Sequence, residues 1–189
     1  MHVFYPRLLS AICEGIYQLS GERNPNTVKM SSYAPSLQNR AWYNWTPDMI
    51  SFEALHNMTV KSASYWGQWL FSHYRGTQTL PVVASSGQIN PLFWVATIDE
   101  PSGQIYVKVI NILNDTVPLT IQLTQQFKDV NGTILTAPDL NSYNYIDNQT
   151  VVVPLPISNL NSSSSSGPQG TFQWDVPSFS LSVLQFNCQ

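Results

Sequence analysis

Helical spacing of apolar side chains runs through the first part of this chain and stops at Leu80-Pro81; beyond it only short, strand-like runs remain. A period of 3.6 builds helices and a period of 2 builds half-buried strands, so the chain divides into 1–79 and 80–189. Before the switch, Leu8, Leu9, Ile12, Ile16 and Leu19 make one apolar stripe. They predict a helix over 7–20 with Gly21 just past its end. Residues 27–33 read as a short strand stopped by Pro35, and 36–59 as a long aromatic loop. A second helix is expected over 62–74, with Tyr65, Trp66, Trp69, Leu70 and His73 on one face, Ser62 or Ser64 as its cap and Gly76 at its end. After the switch the expected strands are 92–98, 104–113, 117–124, 150–155, 171–176 and 179–186. In 117–124, Leu119, Ile121 and Leu123 alternate with Thr120, Gln122 and Thr124, the mark of a half-buried strand. Asn-Asp, Asn-Gly and Pro-Ser-Gly turns with no helix between them predict an antiparallel β-sandwich. Residues 162–167 read as a Ser-rich flexible loop.

Composition excludes several classes of function. Charged residues make up only 10% of the 189, and the formal net charge is −3. That leaves no basic patch for nucleic acid. No apolar run is long enough to span a membrane as a helix. Six N-x-Ser/Thr sequons occur, at Asn44, Asn57, Asn114, Asn131, Asn148 and Asn161. Together with the low charge they predict a glycosylated, extracellular protein. Residues 1–17 do not read as a signal peptide, because Glu14 interrupts the apolar stretch and no small-residue cleavage site follows. Cys13 and Cys188 are too few for a disulfide framework. They read as a buried free thiol and a tail thiol, although spacing alone leaves their pairing open.

Metal, cofactor and nucleophile motifs are lacking. There is no Gly-x-Ser-x-Gly, His-Glu-x-x-His or Cys-x-x-Cys, and His2, His56 and His73 have no metal-ligand spacing. Neither cofactor nor metal is expected. His73, Trp66 and Trp69 read as packing residues. Trp94 and Trp174 read as core between two sheets before they read as a sugar platform.

Several motifs together resemble one family: Gly21-Glu22-Arg23-Asn24, then Val28-Lys29-Met30-Ser31-Ser32-Tyr33-Ala34-Pro35, then Trp45-Thr46-Pro47-Asp48-Met49-Ile50, then Ser64-Tyr65-Trp66-Gly67-Gln68-Trp69-Leu70-Phe71-Ser72. Pro91-Leu92-Phe93-Trp94-Val95-Ala96 and the run from Val176 to Leu184 extend the match over nearly the whole chain. The family is the fungal-type α-L-arabinofuranosidases of glycoside hydrolase family 51. The resemblance implies a jelly-roll-like β-sandwich preceded by a helix–strand–helix remnant of a (β/α)8 barrel. A whole barrel takes about 250 residues and eight strands, so 1–79 cannot close one. On this resemblance 8–19 is the barrel's seventh helix, 28–33 its eighth strand and 62–74 its eighth helix.

Retaining glycosidases use two carboxyl groups, a nucleophile and an acid/base. In the family both are Glu at the ends of strands four and seven, positions that the resemblance places before Met1. Glu14, Glu22, Glu53 and Glu100 match neither motif, so no catalytic residue is expected here, and Glu22 reads as a structural ion-pair partner of Arg23. Tyr33, Trp45 and Asp48 lie at or after the end of strand eight, where barrel loops build sites, and are the expected substrate-binding residues. The expected partner is an arabinose-containing polysaccharide or oligosaccharide, not nucleic acid or membrane, and oligomeric state is left open. The rival reading is a non-catalytic carbohydrate-binding or interaction module. Residues 1–78 are expected to be the weaker half, with 62–74 the one helix docked on the sandwich.

Overall fold

The computed structural model describes residues 5–42, 45–85, 91–158, 160 and 170–188. The loop expected at 162–167 and the sequons at Asn44 and Asn161 lie outside them. The chain begins with helix α1 (Leu8–Arg23) and continues through β1 (Leu37–Asn39), β2 (Ile50–Glu53) and β3 (Met58–Lys61) to helix α2 (Ala63–His73). Strands β4 (Gln78–Leu80), β5 (Leu92–Asp99), β6 (Gln104–Asn111), β7 (Val117–Leu123), β8 (Phe127–Thr136), β9 (Leu155–Pro156), β10 (Gly170–Val176) and β11 (Ser180–Cys188) follow. The fold is mainly β, with antiparallel pairing throughout the later strands.

One sheet organises the molecule. It has six strands in the order β4-β5-β6-β11-β8-β9, and its neighbour is the two-stranded sheet β10-β7. Strand β6 shows how each face is used. Ile105, Val107 and Val109 join Phe127, Phe172, Leu184 and Phe186 in the core facing β10-β7. Tyr106 and Ile110, on the other face, join Leu8, Ala11, Ile12, Leu19, Leu70 and Phe71 of the two helices. The result is three layers: helices, large sheet, small sheet. A sheet covered on both faces reads as a nearly continuous apolar run rather than an alternation, as β6 does. Strand β7 belongs to the outer sheet and keeps the alternating pattern seen in its sequence.

Both helices dock on this sheet, not α2 alone as the sequence suggests. Each fully buried Leu or Ile contributes roughly 1.5–3 kcal/mol, and α1 offers Leu8, Ile12 and Leu19, each at most 2% exposed. Gly15 lets the helix approach the sheet, because a Cβ there would stand 2.6 Å from Leu181 Cδ1 and 2.8 Å from Ile110 Cδ1. The buried face of α2 is Ala63, Ser64, Gly67, Leu70 and Phe71. Tyr65 and His73 lie off that face, and His73 stacks on Trp69 at 4.4 Å. Ser62 caps the helix by accepting from the Tyr65 N–H.

Other expectations are corrected. Gly21 does not end α1. The helix runs on to Arg23 and is closed by Asn24, whose backbone N–H donates to Gly21 O and whose side chain donates to Ser20 O. Residues 28–33 form no strand, because a strand exists by its ladder and none of the described strands runs beside them; Val28 and Met30 are 41% and 86% exposed. The expected loop at 36–59 contains β1, β2 and the start of β3, with β1 parallel to β2 and β3 antiparallel to it. Strand β8 occupies a stretch whose Asn131-Gly132 reads as a turn in sequence. Gly132 instead sits mid-strand, where the absent side chain leaves room for Ile157 and Leu160. The expected strand 150–155 shrinks to β9, since Val152 gives its N–H to Asn144 Oδ1 rather than to a ladder. Cys13 and Cys188 are free thiols, and Cys13 is exposed rather than buried.

Candidate functional site

The expected substrate-binding residues lie on the segment between α1 and α2. This segment carries cis peptide bonds at Ala34-Pro35 and Thr46-Pro47. It is laid on the helices by polar contacts: Gln18 Nε2 of α1 donates to Ser31 Oγ at 3.0 Å and to Gln68 Oε1 of α2 at 3.1 Å. One residue pair further along, Ser64 Oγ at the start of α2 donates to Glu14 Oε1 of α1 at 2.9 Å. The Tyr33 hydroxyl approaches the same pair, and the Asp48 carboxylate acts on it electrostatically. Tyr33 is thus brought to the junction of Glu14 and Ser64, and Asp48 bears on it through its charge alone. Trp45, three residues before Asp48, is 73% exposed.

Burial governs the electrostatics of this junction. It pushes Glu14 up to about 7 against the opposing pull of hydrogen bonds from Ser64 and Tyr33. Burial, then the charge of Glu14, pushes the Tyr33 phenol up to about 12. The Asp48 carboxyl is also raised by burial; the residue is 2% exposed and its Oδ2 has no hydrogen-bond partner. Desolvation of a carboxylate favours its neutral form, which explains the common direction.

A carboxyl group near neutrality suits acid/base work, but Glu14 is placed for packing. It lies mid-helix, wedged between two helices, with Ser64 on one of its oxygens. The other glutamates also hold structural contacts. Glu22 accepts from Lys108 Nζ at 2.6 and 2.8 Å, so its partner is the strand lysine and not Arg23. Lys108 is fully buried on β6, and desolvation lowers its pKa while raising that of Glu22. Glu53 pairs with His56 at 2.8 Å and reaches Arg40 at 4.0 Å. Glu100 stands in the exposed turn after β5. Among the described residues no group of His, Cys, Asp and Glu could hold a metal.

The Arg23 guanidinium lies 4.2 Å above the Trp94 ring. It borders a cleft of about 390 Å³ with Pro25, Thr79, Leu80 and Val95. Arg23 therefore covers the indole that could have served as a sugar platform. Trp174, on β10, packs against the sandwich core. Of the sequons within the described residues, Asn57, Asn114, Asn131 and Asn148 are all exposed. Asn131 lies within β8 rather than at a turn.

The chain is thus two helices packed on a sandwich, with a loop-rich segment across the helices, and the comparisons say which proteins share it. The model for the α-L-arabinofuranosidase C-terminal domain matches residues 4–180. A probable α-L-arabinofuranosidase A of Aspergillus terreus is 35% identical over 97% of the chain, and α-L-arabinofuranosidase A of Aspergillus niger is 33% identical over 97%. The chain spans 27% of the length of each. A solved arabinose-bound α-L-arabinofuranosidase of glycoside hydrolase family 51 superposes with a TM-score of 0.82 at 29% identity, covering 99% of this chain and 28% of that one. The fold is shared with the Thermotoga maritima α-L-arabinofuranosidase in its arabinose complex, at a TM-score of 0.74 and 16% identity, over 96% of this chain and 38% of that one. The chain belongs to the α-L-arabinofuranosidase C-terminal domain family.

The Glu14–Ser64 pair, the Lys108–Glu22 pair and the contacts of Asn144 join residues far apart in sequence or leave no local pattern. Lys108 carries the one available signal, a lone charge in the apolar run Ile105-Tyr106-Val107-Lys108-Val109-Ile110. Such a charge needs a partner.

Proposed function

We propose that this chain is the C-terminal portion of a retaining enzyme that hydrolyses terminal non-reducing α-L-arabinofuranosyl residues in arabinan or arabinoxylan. The single observation that carries this is the family match over residues 4–180 alongside coverage of only 27% of the relatives' length. On this reading the nucleophile and acid/base belong to the part of the relatives that this chain does not match. Here 1–79 is the remnant of the catalytic barrel and 80–189 the sandwich; Tyr33 and Trp45 are the residues proposed to face sugar, whereas Asp48, 2% exposed, is buried in this chain and is proposed to support their segment. The protein is proposed to be extracellular and glycosylated at its sequons.

A chimera tests the reading. The last quarter of the Aspergillus terreus relative is replaced by residues 4–189 of this chain. Release of nitrophenol from the α-L-arabinofuranoside is expected from the chimera and not from this chain alone. A soluble, folded chimera without activity would overturn the reading. So would activity of the isolated chain that a single Glu substitution within it abolishes.

A further inference from the structure

We propose that the cleft at the C-terminal end of α1 is a binding site for a small, planar aromatic monocarboxylate, with Arg23 as its anchor. The cleft holds about 390 Å³, within the span of about 300–1,000 Å³ common for small-molecule sites. Arg23 borders it from the last position of α1. Trp94 of β5, Leu80 of β4 and the adjoining Pro25, Pro81 and Val82 supply most of the remaining lining.

The guanidinium carries donors that the chain itself does not use. Its central carbon lies 4.2 Å from the centroid of the Trp94 ring. A ring face attracts the cation but offers it no oxygen lone pair. Among the described residues no carboxylate pairs with Arg23 and no oxygen accepts from its side chain. Glu22, its neighbour in sequence, is engaged by Lys108 Nζ at 2.6 and 2.8 Å. A rigid fork of N–H donors is therefore free to meet an acceptor from outside. The helix end that carries the fork is tied down. Thr79 Oγ1 donates to Glu22 O at 2.6 Å, and Asn24 closes the helix through Gly21 O and Ser20 O. An anchor based this firmly and resting on an indole loses little freedom when a ligand arrives.

Chemistry chooses the occupant. A guanidinium pairs best, through two parallel bonds, with a carboxylate or a phosphate. Arg23 is the one ionised side chain among the described residues that line the cleft, so it matches a single negative charge. A phosphate dianion would bring more charge than it answers, in a chain whose net charge is already −3. The rest of the lining is apolar or aromatic apart from Thr79, whose hydroxyl is engaged with Glu22 O. Such walls offer few partners for the hydroxyl groups of a sugar acid, which would lose water without replacement. They suit a flat apolar ring against indole and proline. The site needs no hydrolysis and no part of the relatives beyond this chain, so it stands apart from the enzymatic reading.

The test is a titration of the isotope-labelled full chain with benzoate, followed by NMR. Saturable shifts are expected at the Trp94 indole N–H and at the backbone amides of Thr79, Leu80 and Val82. Arg23→Gln, at an exposed position, should weaken binding at least about tenfold, the loss of one charge-assisted pair. Its fold is checked by unchanged signals away from the cleft. Arg23→Lys keeps the charge but not the fork, and should bind about threefold more weakly than the wild type. Benzyl alcohol, the same ring without the charge, should bind at least about tenfold more weakly than benzoate. Absence of a saturable shift in the wild type, undiminished affinity in the folded Arg23→Gln variant, or equal affinity for benzyl alcohol would overturn the site. Glucuronate or inorganic phosphate bound as tightly as benzoate would overturn the choice of an aromatic acid.

Discussion

The two helices and the coil between them differ sharply in their surroundings. α1 and α2 share one apolar cluster with β5, β6 and β11. Residues 24–32, which continue directly from α1, are exposed at every position. Helical periodicity ends at Leu80-Pro81, yet burial does not follow that line. It follows the large sheet, which offers apolar side chains on both faces and covers whatever lies against them. Burial therefore predicts that α1 and α2 are held as firmly as the strands, and that weakness in the front piece is confined to the connecting segment.

The largest effect should come from the ion pair that ties α1 to the sheet. Removing one partner of a buried pair strands a charge, at a cost of roughly 3–5 kcal/mol. Lys108→Ala and Glu22→Ala should each lower stability by about that amount in denaturant melts. The double variant Lys108→Met with Glu22→Leu should recover most of it, because desolvation already opposes both charges. A cost below about 1 kcal/mol for Lys108→Ala would show that the helix and the sheet do not depend on this link.

Next in size is a pH effect at the α1–α2 junction. The folded pKa of Glu14, about 7, lies above its ordinary 4.5. Its contribution is therefore complete below 4.5 and is lost as pH rises through about 7. The loss should amount to about 1–3 kcal/mol once partial solvation is allowed for. Melts of the wild type between pH 4.5 and 8 should show the decline, and Glu14→Gln should flatten it. An equal decline in the variant would place the titrating group elsewhere.

Hydrogen exchange sharpens the comparison without any substitution. Slow exchange is expected in 11–19, 64–73, 105–110 and 181–186, with fast exchange in 24–32. Fast exchange through α1 would mean that its docking is weaker than its burial implies.

The smallest effect concerns Asn57, which ends a short helical turn in the left-handed region at φ 51. Asn57→Gly should be neutral or slightly stabilising, and Asn57→Ala should cost about 1 kcal/mol. Protein made without glycosylation isolates this backbone effect, since both changes also remove a sequon.

Local pattern was enough for α1 and α2, for β5, β6, β7, β10 and β11, and for the mainly β character. The Leu8 to Leu19 stripe and the alternation of Leu119, Ile121 and Leu123 are properties of neighbours in sequence. They survive any tertiary arrangement that offers an apolar surface. The motifs from Gly21 to Phe71 likewise pointed to the family before any coordinates. What the chain could not declare alone were contacts between distant residues. Gly132 reads as a turn until Ile157 and Leu160 fill the space above it. Residues 28–33 read as a strand until no partner ladder is beside them. Lys108 reads as an anomaly until Glu22, 86 positions away, meets it. Asn144 carries no local signal, and only its bonds to Lys61 O and Val152 O bury it. Periodicity is local and is written in the residues themselves. Partners for charges, ladders and close approaches come from elsewhere in the chain, so only the tertiary structure decides them.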